Sequence, residues 1–183
     1  MSLLGLLGTI ATRLDRAHIP HMLTGSYASS FHGEPRTTMD VDVVIDPDAT
    51  RLQAFLDDLD PSRFYVDDAQ RALAHRDQFN VIEMGTQGKV DLIIVKDRPY
   101  SRTELARRLP IELDGHHLHV ATAEDTILAK LEWGAGTGSD RQRRDVAGIL
   151  AISGDGLDWE YLHRWAGELG VRDALDEVVR DAR

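Results

Sequence analysis

Three aspartates carry the chemistry this chain is best equipped to perform. Asp40 and Asp42 stand two residues apart in the segment Met39–Ile45, where every other position is Met, Val or Ile. Such residues favour a pleated, partly buried strand. Residues i and i+2 of a strand point to one face, with Cα atoms about 7 Å apart. The two carboxylates therefore project side by side and repel each other unless a cation lies between them. Asp91 is the single charge in the apolar run Val90–Val95. A lone carboxylate in such a run is costly to bury unless it is paired or ligates a metal. Mg²⁺ takes oxygen ligands, commonly one or two carboxylates completed by substrate phosphates. An isolated D-x-D is more often the solvated face of an ordinary strand, so the assignment depends on what surrounds it.

Upstream lies a candidate phosphate cradle. Met22-Leu23 ends an apolar run, and Gly25-Ser26 then opens the small-residue stretch SYASSFHG. Glycine permits a tight turn and a close approach of backbone to ligand. The N–H groups at the start of a helix suit an anion. Ser26 either caps that helix or gives its hydroxyl to a phosphate. Arg36, in the loop Gly33–Thr38, is read as a solvated arginine with a phosphate contact as its functional alternative.

These residues need a scaffold, and the pattern supplies one. Leu3–Ala17 has helical spacing and no basic region before it, so it reads as a first helix and not a signal peptide. Ile19-Pro20 ends it and leads into the strand before Gly25. Asp46 and Asp48 are assigned to capping and solvation, Asp48 at the start of a helix Thr50–Leu59. A short strand Phe64–Val66, a helix Asp67–Ala74, and a hairpin of Phe79–Met84 with Lys89–Val95 through Gln87-Gly88 follow. After a loop Lys96–Tyr100, a helix runs to Arg108, with Arg102, Arg107 and Arg108 read as solvated. Ile111–Leu113 and His117–Val120 flank Asp114-Gly115, a tight hairpin turn. His117 and His119 share a strand face near His116, but a zinc site wants three or four ligands, so they are not assigned to metal.

From Thr122 the pattern becomes helical. Thr122 and Asp125 form a capping box for a helix through Trp133, and Gly134–Gly138 reads as a break. That glycine run follows a helix instead of a strand, which excludes a dinucleotide fingerprint. Arg141–Asp145 opens a helix with Val146, Ile149 and Leu150 on one face. Two more helices, Asp158–Leu169 and Arg172–Ala182, complete the tail. Trp133, Trp159 and Trp165 are read as packing residues.

Gly25-Ser26, then after about a dozen residues Asp40-x-Asp42 in an apolar strand, then Asp91 on a later apolar strand: this order resembles the DNA polymerase beta-like nucleotidyltransferase superfamily. The tail sharpens the likeness. T-x-E-D-x-x-x-x-K-L over Thr122–Leu131 followed by R-x-x-R-D over Arg141–Asp145 resembles the AbiEii-type, toxin-like branch. The resemblance implies an α/β (α+β) nucleotidyltransferase fold, a mixed β-sheet flanked by helices with a C-terminal helical bundle. It implies a catalytic core over residues 1–121 and a helical region over 122–183. It implies Mg²⁺ or Mn²⁺ held by Asp40, Asp42 and Asp91, with Asp91 also the base on an acceptor hydroxyl. A nucleoside triphosphate is the implied donor, bound by Gly25, Ser26, Lys130, Arg144 and Asp145. An RNA or protein acceptor and a partner antitoxin protein come with the toxin branch.

Composition bounds the alternatives. The 183 residues suit one domain or a small core with an appendage, and 42% hydrophobic residues are enough for a core. The chain has no cysteine, which fits a cytoplasmic protein, and no apolar run of transmembrane length. The net charge of −10 argues against broad nucleic-acid binding. Two other functions stay open: a non-catalytic nucleotide-binding regulatory module, and an aminoglycoside-type nucleotidyltransferase, whose polycationic substrate an acidic surface attracts.

Overall fold

The computed structural model describes residues 2–35, 38, 40–137 and 139–182. Arg36, Met39 and Gly138, each named above, lie outside the described residues. The chain forms two compact units. One comprises Met1–Thr24 and Thr38–Val120, the other Gly25–Thr37 and Ala121–Arg183. The segment opening at Gly25 groups with the helical tail.

The first unit is a seven-stranded mixed sheet with helices packed on it. Its strands are β1 His21–Leu23, β2 Val41–Ile45, β3 Phe64–Val66, β4 Gln78–Glu83, β5 Gly88–Ile94, β6 Leu109–Leu113 and β7 His116–Val120. Their order is β3-β4-β5-β2-β1-β7-β6. β2 and β5 run parallel in register, pairing Val41 with Val90, Asp42 with Asp91 and Val43 with Leu92. β4 and β5 form the expected antiparallel hairpin. β6 and β7 form the other, and Asp114 (φ 51°) and Gly115 (φ 76°) both take the positive φ of a two-residue turn. Helix α1, Leu3–Arg16, lays Leu7, Ile10 and Leu14 over Leu23, Val43 and Leu118. Val41, Val43, Ile45, Val90, Leu92 and Ile94 are all buried. Their partners of opposite parity, Asp42 and Val44, are only half-buried. This alternation reserves one side of β2 for the core and leaves the carboxylate side accessible.

The expected strand is shorter than the sequence pattern suggested. β2 starts at Val41, so Asp40 sits just before it and not inside it. Helix α3, Ala49–Asp57, is capped by Asp48, whose Oδ1 accepts from the Arg51 N–H at 2.8 Å. Helix α4, Ala69–His75, is likewise capped by Asp68. Helix α5, Pro99–Arg107, starts inside the expected loop because proline suits the first helical position. Its basic residues are not uniformly solvated. Arg102 pairs with Asp97 at 2.5 Å, but Arg107 and Arg108 are half-buried, and Arg108 Nη1 donates to the Leu105 carbonyl at 2.7 Å.

The second unit is all helical among the described residues: α2 Gly25–His32, α6 Ala123–Thr137, α7 Asp140–Ser153, α8 Trp159–Glu168 and α9 Arg172–Asp181, with a short 3₁₀ turn at Gly154–Gly156. α6 and α7 pack on each other and on α2. The expected break at Gly134–Gly138 is instead helix through Thr137. Intrinsic propensity disfavours glycine there, yet α6 runs through it and packs along α7, where a Cβ at Gly134 would make ordinary contact with Gln142 Cβ at 3.4 Å. Trp165 is buried and Trp159 half-buried, whereas Trp133 is 61% exposed and does not pack as expected. The α6 start is tied by the predicted cap. Thr122 Oγ1 accepts from the Asp125 N–H at 3.1 Å and donates to Asp125 Oδ2 at 2.8 Å. Asp125 is fully buried, and Tyr161 of α8 donates to its other oxygen at 2.6 Å.

Candidate active site

The candidate residues divide between the two units. Asp40, Asp42 and Asp91 belong to the first; Gly25, Ser26, Lys130, Arg144 and Asp145 belong to the second.

In the first unit the parallel register sets Asp42 beside Asp91 on adjacent strands. Residues paired in register share a face, so both carboxylates leave the sheet on the same side. The chain also holds β2 from behind: the Thr24 N–H donates to the Asp42 carbonyl at 3.0 Å. Asp40 is exposed, Asp42 half-buried and Asp91 only 8% exposed. A residue not anticipated joins them. Lys89 Nζ lies 2.9 Å from Asp91 Oδ2 and 4.0 Å from Asp40 Oδ1. The hydrogen bond to Asp91 raises the Lys89 pKa, and the charges of Asp91, Asp40 and Asp42 add to it against partial desolvation. The signal was available in the strand period, because Lys89 precedes Asp91 by two and shares its face.

Whether this set suits a divalent cation can be tested on its donors. All are hard carboxylate oxygens, the type Mg²⁺ selects. Asp91 Oδ1 is buried without a hydrogen-bond partner among the described residues, and an acceptor left unsatisfied in the interior is unfavourable. Among the described residues no group of three or more His, Asp or Glu forms a ready metal cage. The donors thus fit a cation held by two carboxylates and completed by phosphate and water oxygens, the usual Mg²⁺ arrangement.

In the second unit Gly25 opens α2 with φ 59°, a left-handed conformation glycine adopts without the penalty of a side chain. Ser26 lies within the first turn of α2 and not at the cap position. Lys130 and Asp145 are both nearly enclosed, and Lys130 Nζ donates to Asp145 Oδ2 at 2.6 Å. Ser29 Oγ donates to the same oxygen at 3.5 Å. Beside this pair is a cleft of about 350 Å³ lined by Ser29, Glu34, Arg141, Arg144, Asp145 and Gly148. Arg141 and Arg144 are exposed. The motif order names Lys130, Arg144 and Asp145 but not Ser29, Glu34 or Arg141 as site residues, although all six lie together here. His119 stacks edge-on to His21, and the His116 ring lies against Gly8.

No protein-family model matches the chain, and no curated protein matches it in sequence. Solved structures do match its fold. One is an antigenic nucleotidyltransferase-like protein from Paracoccidioides brasiliensis, 18% identical with a TM-score of 0.57, covering 97% of this chain and 92% of that one. Another is ANT(2'')-Ia in complex with adenylyl-2''-tobramycin, 14% identical with a TM-score of 0.59, covering 92% and 97%. A third is the lincosamide antibiotic adenylyltransferase LnuA, 10% identical with a TM-score of 0.53, covering 80% and 95%. The fold is that of the nucleotidyltransferases, a mixed sheet flanked by helices with a helical bundle. No helix among the described residues is long and apolar enough to cross a membrane.

Proposed function

We propose that the chain transfers a nucleoside monophosphate from a nucleoside triphosphate to an acceptor hydroxyl. The observation that carries this reading is the in-register pairing of Asp42 with Asp91 on parallel β2 and β5, with Asp40 immediately before β2. Asp42 and Asp91 would hold Mg²⁺ or Mn²⁺, with Asp40 beside them and the donor's phosphate oxygens completing the ligands. Such a cation supplies Lewis-acid stabilisation of the developing phosphoryl charge and lowers the pKa of a bound hydroxyl.

The remaining steps fall to the protein. The acceptor oxygen bonds to the α-phosphorus as the bond to the bridging oxygen breaks and pyrophosphate leaves. The hydroxyl proton would pass to the Asp91 carboxylate, whose Oδ2 is held by Lys89. Gly25 and Ser26 present backbone N–H groups to the phosphates. Arg144 contacts the pyrophosphate directly, since it is exposed on its cleft, and Lys130 acts through Asp145, with which it is paired.

For the acceptor, a small polyhydroxylated, positively charged molecule fits best. The net charge of −10 repels a polyanion and attracts a polycation. Two proteins of similar fold point the same way: LnuA is a lincosamide antibiotic adenylyltransferase, and ANT(2'')-Ia was solved with adenylyl-2''-tobramycin. A second reading keeps the AbiEii-type likeness, with an RNA or protein acceptor, an antitoxin partner and a cytoplasmic setting. It is favoured by the pairing of Lys130 with Asp145, one residue from each half of the tail motif.

Pyrophosphate release tests these readings. Each of the four ribonucleoside triphosphates is offered with Mg²⁺ and an aminoglycoside set, total RNA or a protein extract, beside the Asp40→Ala/Asp42→Ala variant. Release that needs an aminoglycoside and both aspartates supports the first reading; release that needs RNA or protein supports the second. Triphosphate binding without release in any pool refutes catalysis and leaves a nucleotide-binding module.

A further inference from the structure

We propose that Lys89 is the built-in counter-ion of the aspartate cluster, holding the cation position until a divalent metal displaces it. The inference rests on the metal reading of Asp40, Asp42 and Asp91 and adds a residue that competes for their site.

The strand period places Lys89 on the same face as Asp91. It precedes Asp91 by two residues on β5, and β5 pairs in register with β2, so Lys89 stands opposite the position of Asp40. Its ammonium bridges the two strands, 2.9 Å from Asp91 and 4.0 Å from Asp40. A lysine head is a compact point charge with three donors. Between two carboxylates it does electrostatically what a metal ion does, with half the charge. It does so incompletely, because Asp91 Oδ1 stays buried without a hydrogen-bond partner among the described residues. The Lys89 side chain is 37% exposed, so its flexible stem has a solvent path by which to leave. Without such a counter-ion, Asp91 would be a nearly buried, unpaired carboxylate in an apolar strand, the situation that most disfavours folding of the metal-free chain.

Two consequences separate this role from that of a surface ion pair. Removing the ammonium should tighten metal binding, because a competitor is lost. It should also weaken the metal-free fold, and metal should restore it. Mn²⁺ is the probe, titrated calorimetrically into the intact protein, Lys89→Met and Lys89→Arg. Lys89→Met should bind Mn²⁺ about tenfold more tightly, the order expected for one nearby charge in a partly screened site. Lys89→Arg, which keeps the charge, should stay within about threefold of wild type by the same reasoning. Without metal Lys89→Met should melt below wild type, and saturating Mn²⁺ should close the gap.

Should Lys89→Met fail to fold, the wild type still decides. The Lys89 ammonium resonance should shift as Mg²⁺ is added. An unchanged or weaker Mn²⁺ affinity in folded Lys89→Met, or an ammonium signal indifferent to saturating Mg²⁺, overturns the inference. The metal reading fails separately if Asp42→Asn/Asp91→Asn binds Mn²⁺ as the wild type does.

Discussion

The pair Lys130–Asp145 offers the sharpest test of the helical unit. Both side chains are nearly enclosed, at 7% and 8% exposure, and meet at 2.6 Å. Removing one partner takes the 2.6 Å ion pair from a nearly enclosed charge, and breaking a buried pair in this way costs about 3–5 kcal/mol. Against a total stability of about 5–15 kcal/mol for a natural domain, that is a large share. At about 2–4 °C per kcal/mol for chains of this size, Lys130→Met or Asp145→Leu should melt about 6–20 °C below wild type. The double variant Lys130→Met/Asp145→Leu removes both charges and should recover most of the loss, since buried pairs are often replaced by apolar residues at no net cost. Differential scanning calorimetry on all four proteins closes the cycle. The folded double variant then serves the functional question by isothermal titration with a triphosphate: weakened binding marks the pair as part of the nucleotide site, and unchanged binding marks it as structural. A single variant that melts within about 2 °C of wild type would refute the buried-pair reasoning.

Further perturbations probe the remaining parts. Asp42→Ala should abolish pyrophosphate release yet leave the melting temperature within a few degrees, because the residue is only half-buried; wild-type turnover would remove Asp42 from the site. Gly25→Ala must hold φ near 59° with a side chain, at a cost of about 1–2 kcal/mol seen as a lower urea midpoint; no change would mean the turn relaxes freely. Gly33→Ala would bring a Cβ to 2.8 Å from the Ile149 backbone nitrogen on α7, so it should destabilise by about 1–3 kcal/mol, again by urea midpoint. Burial lowers the His32 pKa, outweighing the raising effect of its hydrogen bond to the Ala121 carbonyl and the Glu124 charge, while the Thr86 hydroxyl and then its N–H lower that of Glu83. Both contributions are full above the unfolded values, about 6.5 and 4.3, and fade as pH falls through the folded ones. Urea midpoints should therefore drop from pH 7 to 4, and His32→Gln should flatten the part near pH 6.

Much of this scaffold was readable because local rules agreed. Asp114-Gly115, Asp48 and the Thr122 cap each dictate one geometry, and the structure shows all three. The misreadings occur where tertiary contacts overrule propensity. Gly134 and Gly136 lie inside α6 against glycine's own preference, in a helix that packs along α7. Trp133 stands in solvent because helical spacing gives the period of a face but not the elements that cover it. The grouping of α2 with the C-terminal helices likewise depends on contacts between segments far apart in the chain, which no local pattern encodes.

The aspartates and Lys89 show the same limit from the other side. Each strand by itself is ambiguous: D-x-D suits a solvated edge, and K-x-D suits a local ion pair. Only the register between them decides, because a slip of one residue would turn Asp91 away from Asp42 and toward the α1 side. That register is fixed by Val41–Val90 and Val43–Leu92, whose apolar side chains must face the core together. Core packing thereby sets the charge geometry. Three acids and one base end on one face of two strands, at the balance of attraction and incomplete satisfaction that a divalent cation can shift. A substitution that disturbs this register, such as a charge at Val43, should therefore lose metal binding together with stability, whereas Asp42→Asn should lose metal binding alone. Mn²⁺ titration beside thermal melts of Val43→Lys and Asp42→Asn distinguishes the two, and a Val43→Lys protein that keeps wild-type Mn²⁺ affinity would show that the register does not position the site.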